Sequence, residues 1–98
     1  MTIIFEIRDK SGRKIHLFEE RWREHIKPEH PDIQDTYEIE QALIKPDKII
    51  EGNNDVYNYY KYYKHRKQKS KYLRVAVKYL NNHGFVVTAY FERHIRTR

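Results

Sequence analysis

The groups of this sequence that could do chemistry are its six histidines and a segment near its end that is rich in cations and hydroxyls. Imidazole titrates near neutral pH, so histidine is the usual proton donor or acceptor in catalysis. RNA cleavage without a metal needs a base for the 2′-hydroxyl, an acid for the leaving oxygen, and cations for the phosphorane. The candidate catalytic residues are His25, Arg74, Lys78, Thr88 and Tyr90. These types predict a metal-independent endoribonuclease that needs no cofactor.

The last two predicted strands gather these cations and hydroxyls on one face. Apolar residues alternate along 71–80 and again along 85–92, which predicts antiparallel strands with a common buried face. The inward set is Leu73, Val75, Val77, Tyr79, Phe85, Val87, Ala89 and Phe91. The outward set is Tyr72, Arg74, Ala76, Lys78, Val86, Thr88, Tyr90 and Glu92.

This register has consequences that a structure can test. It predicts a three-residue loop, Asn81-Asn82-His83, with Gly84 in a bulge conformation. It also places Arg74 opposite Tyr90, where a phosphate could meet the guanidinium. The alternative is an ordinary solvated sheet face, which antiparallel sheets often have.

A tyrosine-rich stretch over 56–65, VYNYYKYYKH, is strongly β-prone and precedes a basic loop over 66–70. Aromatic rings interleaved with cations are typical of proteins that bind single-stranded RNA. The predicted RNA-binding residues are Tyr60, Tyr62, Lys64, Arg66 and Tyr72. The same pattern also suits a strand that packs with one face and extends its lysines from the other.

Two of the histidines allow structural interpretations as well. His25 borders the apolar stripe of a predicted helix, so a half-buried structural role is the alternative to catalysis. His30 precedes Pro31 and is interpreted as a turn or cap residue. A zinc site from His25 and His30 lacks a convincing third ligand, so no metal site is predicted.

The composition limits the class of protein. A chain of 98 residues predicts a single domain, 1–98, that can bury a core without stabilising metals or disulfides. The net charge of +6 favours phosphate backbones as partners, although it also serves solubility. The lack of cysteine excludes thiolate chemistry and suits a reducing cytoplasm, which is the expected location. Neither a secretory signal nor a membrane span is expected.

The periodicity of the chain predicts an α+β fold. The predicted strands cover 3–8, 13–18, 48–51, 56–65, 71–80 and 85–92, the first two as an N-terminal hairpin. A helix over 19–26 is expected to end at Pro28, and a second over 33–45 to be capped by Asp32. We expect the two helices to pack on one face of a twisted antiparallel sheet of about four strands.

Four short motifs, in this order, resemble the barnase–EndoU–colicin–RelE-like nuclease superfamily, in its phage- and cyanobacteria-associated members. They are a W-x-x-H-I pattern, a His-Pro pair, a Pro-Asp turn and a T-A-Y segment, within roughly residues 5–95. Their residues are Trp22, His25, Ile26, His30, Pro31, Pro46, Asp47, Thr88, Ala89 and Tyr90.

The resemblance implies N-terminal helices against a four-stranded antiparallel sheet, and descent from metal-independent ribonucleases of toxins or mobile elements. It implies His25, a cation such as Arg74 or Lys78, and Thr88 near Tyr90 as active positions. RNA is then the expected partner, and an acidic antitoxin or immunity protein the expected inhibitor of a toxin. The alternative is a non-catalytic module that binds RNA or a protein partner.

Overall fold

The chain forms one sheet with helices against it in the computed structural model, which describes residues 2–96. The strands are β1 (Ile3–Arg8), β2 (Lys14–Phe18), β3 (Lys48–Glu51), β4 (Val56–Tyr62), β5 (Tyr72–Leu80) and β6 (His83–Glu92). Their order across the sheet is β1-β2-β6-β5-β4-β3. The α+β class and the N-terminal hairpin are confirmed. The expected sheet of about four antiparallel strands is too small, because β2 joins β6 in parallel and makes a mixed sheet of six strands.

The first helical segment, α1, is continuous but irregular. It consists of Glu19–Arg21, a π-helical stretch Trp22–Ile26, and Lys27–Glu29. Pro28 does not stop it as predicted, because the helical backbone continues through Lys27–Glu29 directly after the π-helical stretch.

The second helix, α2 (Thr36–Ile44), is capped by Asp35 and not by Asp32 as the sequence predicted. The Asp35 carboxylate accepts from the Glu38 N–H at 3.3 Å, and the Glu38 carboxylate accepts from the Gln34 N–H at 2.8 Å. Such reciprocal bonds satisfy N–H groups that the helix itself leaves unpaired. Neither helix within residues 2–96 is long and apolar enough to cross a membrane.

α2 covers one face of the sheet, which we call the inner face, and α1 packs against β6 with Ile26 in the same core. Side chains from the helical region in this core are Ile26, Ile33, Ile39, Ala42 and Leu43. They pack with strand residues such as Ile15, Leu17, Leu73, Val75, Val77 and Ala89. The opposite, outer face carries the polar side chains, because alternate residues of a strand point to opposite sides.

The register of the final hairpin is confirmed near its open end. Arg74 lies opposite Tyr90, and Ala76 lies opposite Thr88, all on the outer face. The predicted alternation therefore holds where the candidate catalytic side chains are concentrated.

A β-bulge changes the register closer to the turn. Val77 pairs with Val86, so Val87 is an extra residue in β6 and the alternation reverses there. Val86 is buried and Val87 is exposed, the opposite of what the sequence predicted. Phe85 pairs with Lys78 and so belongs to the outer face, not to the core as predicted.

The connection between β5 and β6 is a two-residue turn and not the predicted three-residue loop. Asn81 and Asn82 have φ of 53° and 69°, as a type I′ turn requires. Gly84 follows in the strand and does not supply a bulge. A Cβ there would lie 2.9 Å from Tyr79 Cε1, so the glycine permits close packing between strands.

Candidate active site

Arg74 lies at the centre of the polar outer face. It stands between Tyr60 of β4 and Tyr90 of β6. Its Nε donates to Asn58 Oδ1 at 2.9 Å, and its Nη1 donates to the Tyr90 hydroxyl. These neutral partners orient the guanidinium without cancelling its charge, and a guanidinium has further donors for a ligand.

Glu92 is the acidic neighbour of this arginine, and sequence reasoning assigned it no role. Its Oε1 lies 3.7 Å from Arg74 Nη1 and 2.9 Å from Arg96 Nε, while the Tyr60 hydroxyl donates to Oε2 at 3.3 Å. The side chain is only 9% exposed, and Oε1 has no hydrogen bond of good geometry despite the two cations. Two guanidiniums therefore face one carboxylate, and the cluster keeps a positive excess.

His30 meets this cluster through the ring of Tyr90. It ends α1, with its N–H donating to the Ile26 carbonyl at 2.8 Å, as expected of a turn residue. Its ring also stacks on Tyr90, with centroids 5.2 Å apart and planes at 24°. The imidazole therefore contacts the ring of the same tyrosine whose hydroxyl accepts from Arg74. The His-Pro pair at the end of a predicted helix was the only signal in the sequence.

His25 lies elsewhere on the same side of the protein. It lines an open groove of about 500 Å³ together with Lys78, whose Nζ donates to the Asn54 carbonyl. Other lining residues are Phe18, Glu20, Arg21, Leu80, Phe85, Val86 and Val87. Arg74 and Tyr90 do not line this groove. The predicted catalytic set is therefore divided between the groove and the Arg74 cluster.

Thr88 lies on β6 between the groove and the Arg74 cluster. It is half-buried on the outer face, opposite Ala76 and two residues before Tyr90. Its hydroxyl therefore lies on the face where a bound phosphate would meet Arg74.

The tyrosines predicted to bind RNA differ in their exposure to solvent. Tyr60 is 1% exposed, so its ring cannot stack on a base, and that prediction is wrong. Burial raises the pKa of Tyr60, which keeps its hydroxyl protonated beside Glu92. Tyr62 is 45% exposed and packs against Tyr72 with ring centroids 5.0 Å apart. This pair stays accessible at one end of the outer face.

Arg66, one of the predicted RNA contacts, is largely enclosed by other parts of the protein. Its side chain is 14% exposed, and its guanidinium lies 3.5 Å from the centroid of the Phe91 ring. Its Nε donates to the Ser70 carbonyl at 2.9 Å, and its Nη2 approaches Asp32 at 3.4 Å. Lys64 is exposed, just beyond the end of β4, which stops at Tyr62.

A second polar cluster holds the β1–β2 turn against the sheet. Tyr79 and Arg13 each donate to Asp9 Oδ2 at 3.0 Å, and the Ser11 hydroxyl donates to Oδ1 at 2.7 Å. Burial alone would raise the pKa of Asp9, but the hydrogen bonds outweigh it and lower the pKa to about 2. Burial also raises the pKa of Tyr79, whose hydroxyl lies 2.6 Å from that of Tyr59. We interpret this cluster as structural, because every polar group in it has a protein partner.

No group of three or more His, Asp or Glu side chains suited to holding a metal ion occurs in residues 2–96.

Comparison with known proteins gives a family. The model of the domain of unknown function DUF4258 matches residues 34–91, which is more than half of the 98 residues, and the chain belongs to this family. No curated protein and no solved structure is significantly similar to the chain. The matched region contains Arg74 and Tyr90, whereas His25 and His30 lie in the segment before it.

Proposed function

We propose that this protein is a metal-independent endoribonuclease whose active centre is formed by His30, Arg74, Thr88 and Tyr90. The observation that supports this most is the contact of three groups on the open sheet face. An imidazole stacks on a tyrosine, and the hydroxyl of that tyrosine accepts from an arginine. The resemblance to the barnase–EndoU–colicin–RelE-like superfamily points to the same chemistry.

The proposed reaction is an in-line attack of the 2′-oxygen on the adjacent phosphorus. His30 takes the 2′ proton, and the bond from phosphorus to the 5′-oxygen of the next nucleotide breaks. Tyr90 gives a proton to that oxygen, since a hydroxyl that accepts from Arg74 keeps its own proton to donate. Arg74 and the Thr88 hydroxyl stabilise the charge on the nonbridging oxygens. The products are a 2′,3′-cyclic phosphate and a free 5′-hydroxyl.

His30 takes the place that the sequence suggested for His25. The reason is proximity, because a proton-transfer group must lie within hydrogen-bond reach of the reacting atoms. His25 and Lys78, which share the groove, are assigned to holding the neighbouring part of the RNA.

Two further expectations belong to this proposal. An RNA substrate and a chain without cysteine agree with a cytoplasmic location. If the protein is a toxin of a mobile element, an acidic antitoxin or immunity protein is the partner that complements a net charge of +6.

The test is product analysis after incubation of the protein with a defined oligoribonucleotide in EDTA. We expect cleavage products whose mass matches a terminal cyclic phosphate. His30→Phe keeps an aromatic ring against Tyr90 but removes proton transfer, so it should slow cleavage by roughly 100-fold or more. His65→Ala, an exposed histidine in the loop after β4, is the control and should cleave normally.

Three outcomes contradict the proposal in different ways. No cleavage by the wild-type protein removes the enzymatic function, and salt-sensitive RNA binding without turnover would then favour the non-catalytic module. Normal cleavage by His30→Phe removes His30 from the reaction. Loss of cleavage in His25→Ala alone would move the proton-transfer role to the groove.

A further inference from the structure

Four aromatic rings, His83, His16, Phe85 and Phe18, form a cluster on the outer face, away from the Arg74 cluster, and we call it the aromatic strip. His16 neighbours the other three rings, and the two phenylalanines also neighbour each other. Neighbouring centroids lie 5.9–6.1 Å apart, and the planes of neighbouring rings differ by only 16–29°. The near-parallel rings resemble the spaced platforms on which proteins stack nucleobases.

The strip is a product of tertiary structure. The parallel pairing of β2 with β6 sets His16 beside Phe85 and Lys14 beside His83. The bulge at Val87 places Phe85 on the outer face, since without it this ring would point into the core.

The strip is accessible to a ligand. His83 is exposed, and Phe18 and Phe85 line the open groove of about 500 Å³. His16 is more enclosed, with its side chain 11% exposed, and its ring contacts the other three. A ligand in the groove therefore meets the phenylalanine rings first.

Cations border the strip and indicate the charge of its ligand. Lys78 and Arg21 line the groove beside the phenylalanines, and Lys14 stands next to His83 in the sheet. Of the acids nearby, Glu6 is paired with His16 at 2.8 Å and Lys14 at 3.8 Å, and Glu20 lies at the groove. Apolar ring faces bordered by cations complement a polymer of aromatic bases and phosphates.

We propose that the aromatic strip is a base-stacking subsite for single-stranded RNA. Bases bound there would direct the RNA strand to the active centre. This inference rests on the proposed function and extends it to the class of substrate. Phe85 and Tyr90 share the outer face of β6 and are five residues apart, roughly 15 Å along a strand. A short oligonucleotide bridges that distance. A duplex cannot use the subsite, because its bases are already stacked on one another.

The experiment measures binding and does not depend on cleavage. A fluorescent single-stranded oligonucleotide with 2′-O-methyl groups lacks the attacking hydroxyl and stays intact. We compare the wild-type protein with the double variant Phe18→Leu/Phe85→Leu, which keeps apolar volume but removes the ring faces. We expect the dissociation constant to rise roughly tenfold or more.

Two controls separate stacking from charge and from general surface changes. Tyr37→Leu removes an aromatic ring of α2 that is 63% exposed, and affinity should not change. An abasic oligomer with the same number of phosphates should bind weakly and equally to the wild-type protein and the double variant. Circular dichroism and thermal unfolding verify that both variants fold. Phe85→Trp, which enlarges the ring face, should bind at least as tightly as wild type.

Equal affinity of wild type and double variant would overturn the inference, as would tighter binding of a duplex than of the single strand. Failure of the wild-type protein to bind the oligonucleotide would overturn it as well. The proposed enzymatic function fails separately, when an unmodified RNA is bound but not cleaved in EDTA. The two failures are therefore distinguishable.

Discussion

At the scale of single residues, the geometry of Arg74 is what the proposed chemistry needs most. A guanidinium presents several donors in a fixed plane, whereas an ammonium offers a single charged point on a flexible chain. Here the guanidinium contacts Asn58 and Tyr90 at once, and the side chain is 20% exposed.

Arg74→Lys is therefore expected to reduce kcat/KM for RNA cleavage by roughly 100-fold, the order found when one transition-state donor is lost. The charge is retained, so the thermal unfolding midpoint should change little. The matched control is Arg23→Lys, at an exposed arginine of α1 paired with Glu19 at 3.1 Å, which should cleave as wild type. Unchanged cleavage by Arg74→Lys would show that Arg74 does not hold the reacting phosphate.

Glu92 acts on the reaction through Arg74 and is therefore a positioning residue. Glu92→Gln keeps the shape of the side chain but removes a charge that repels phosphate and restrains two arginines. We expect RNA to bind more tightly while the single-turnover cleavage rate falls roughly tenfold, because the arginine is less well oriented. Anisotropy and rapid-quench measurements separate the two effects. A parallel loss of binding and cleavage would contradict this role.

At the scale of elements, the Asp9 cluster holds the β1–β2 hairpin to β5. Ionised Asp9 is favoured in the folded state, since its pKa of about 2 is below the ordinary 3.8. The stabilisation is fully present above pH 4 and is lost as the pH falls from about 4 toward 2. A shift of nearly two units corresponds to roughly 2 kcal/mol.

Urea unfolding at pH 7 and at pH 2.5 tests this account. Asp9→Asn should lower the free energy of unfolding at pH 7 by about 2 kcal/mol. It should also weaken the loss of stability between pH 4 and pH 2. A variant as acid-sensitive as the wild-type protein would mean that other carboxylates control acid unfolding. Asp55→Asn, at an exposed turn, is the control substitution.

At the scale of the whole molecule, the net charge of +6 should make RNA affinity depend on salt. Each phosphate contact releases counterions, so the logarithm of the binding constant falls with the logarithm of salt concentration by about 0.7 per contact on a single strand. Lys78→Met should reduce the magnitude of this slope by roughly 0.7, because the groove loses one cation. Lys10→Met, in the exposed β1–β2 turn, should leave the slope unchanged. An unaltered slope for Lys78→Met would exclude this lysine from phosphate contact.

The sequence alone determined most of the elements and the polar face of the final hairpin near its open end. Alternation along β5 and the open end of β6 correctly predicted that Arg74 faces Tyr90 and that Ala76 faces Thr88. Such patterns are local, because a strand that buries one face must alternate in sequence whatever its neighbours are. The boundaries of β1 and β3 were also predicted correctly, β1 from its β-branched and aromatic residues.

Only the tertiary structure decided which of these side chains meet. The bulge at Val87, the parallel contact of β2 with β6 and the stacking of His30 on Tyr90 join distant parts of the chain. The burial of Tyr60 likewise depends on strands on both sides. Periodicity reports which face of an element is apolar, but it carries no information about what packs there. The physical reason is that contacts between distant residues follow from the packing of the whole core and not from any local preference.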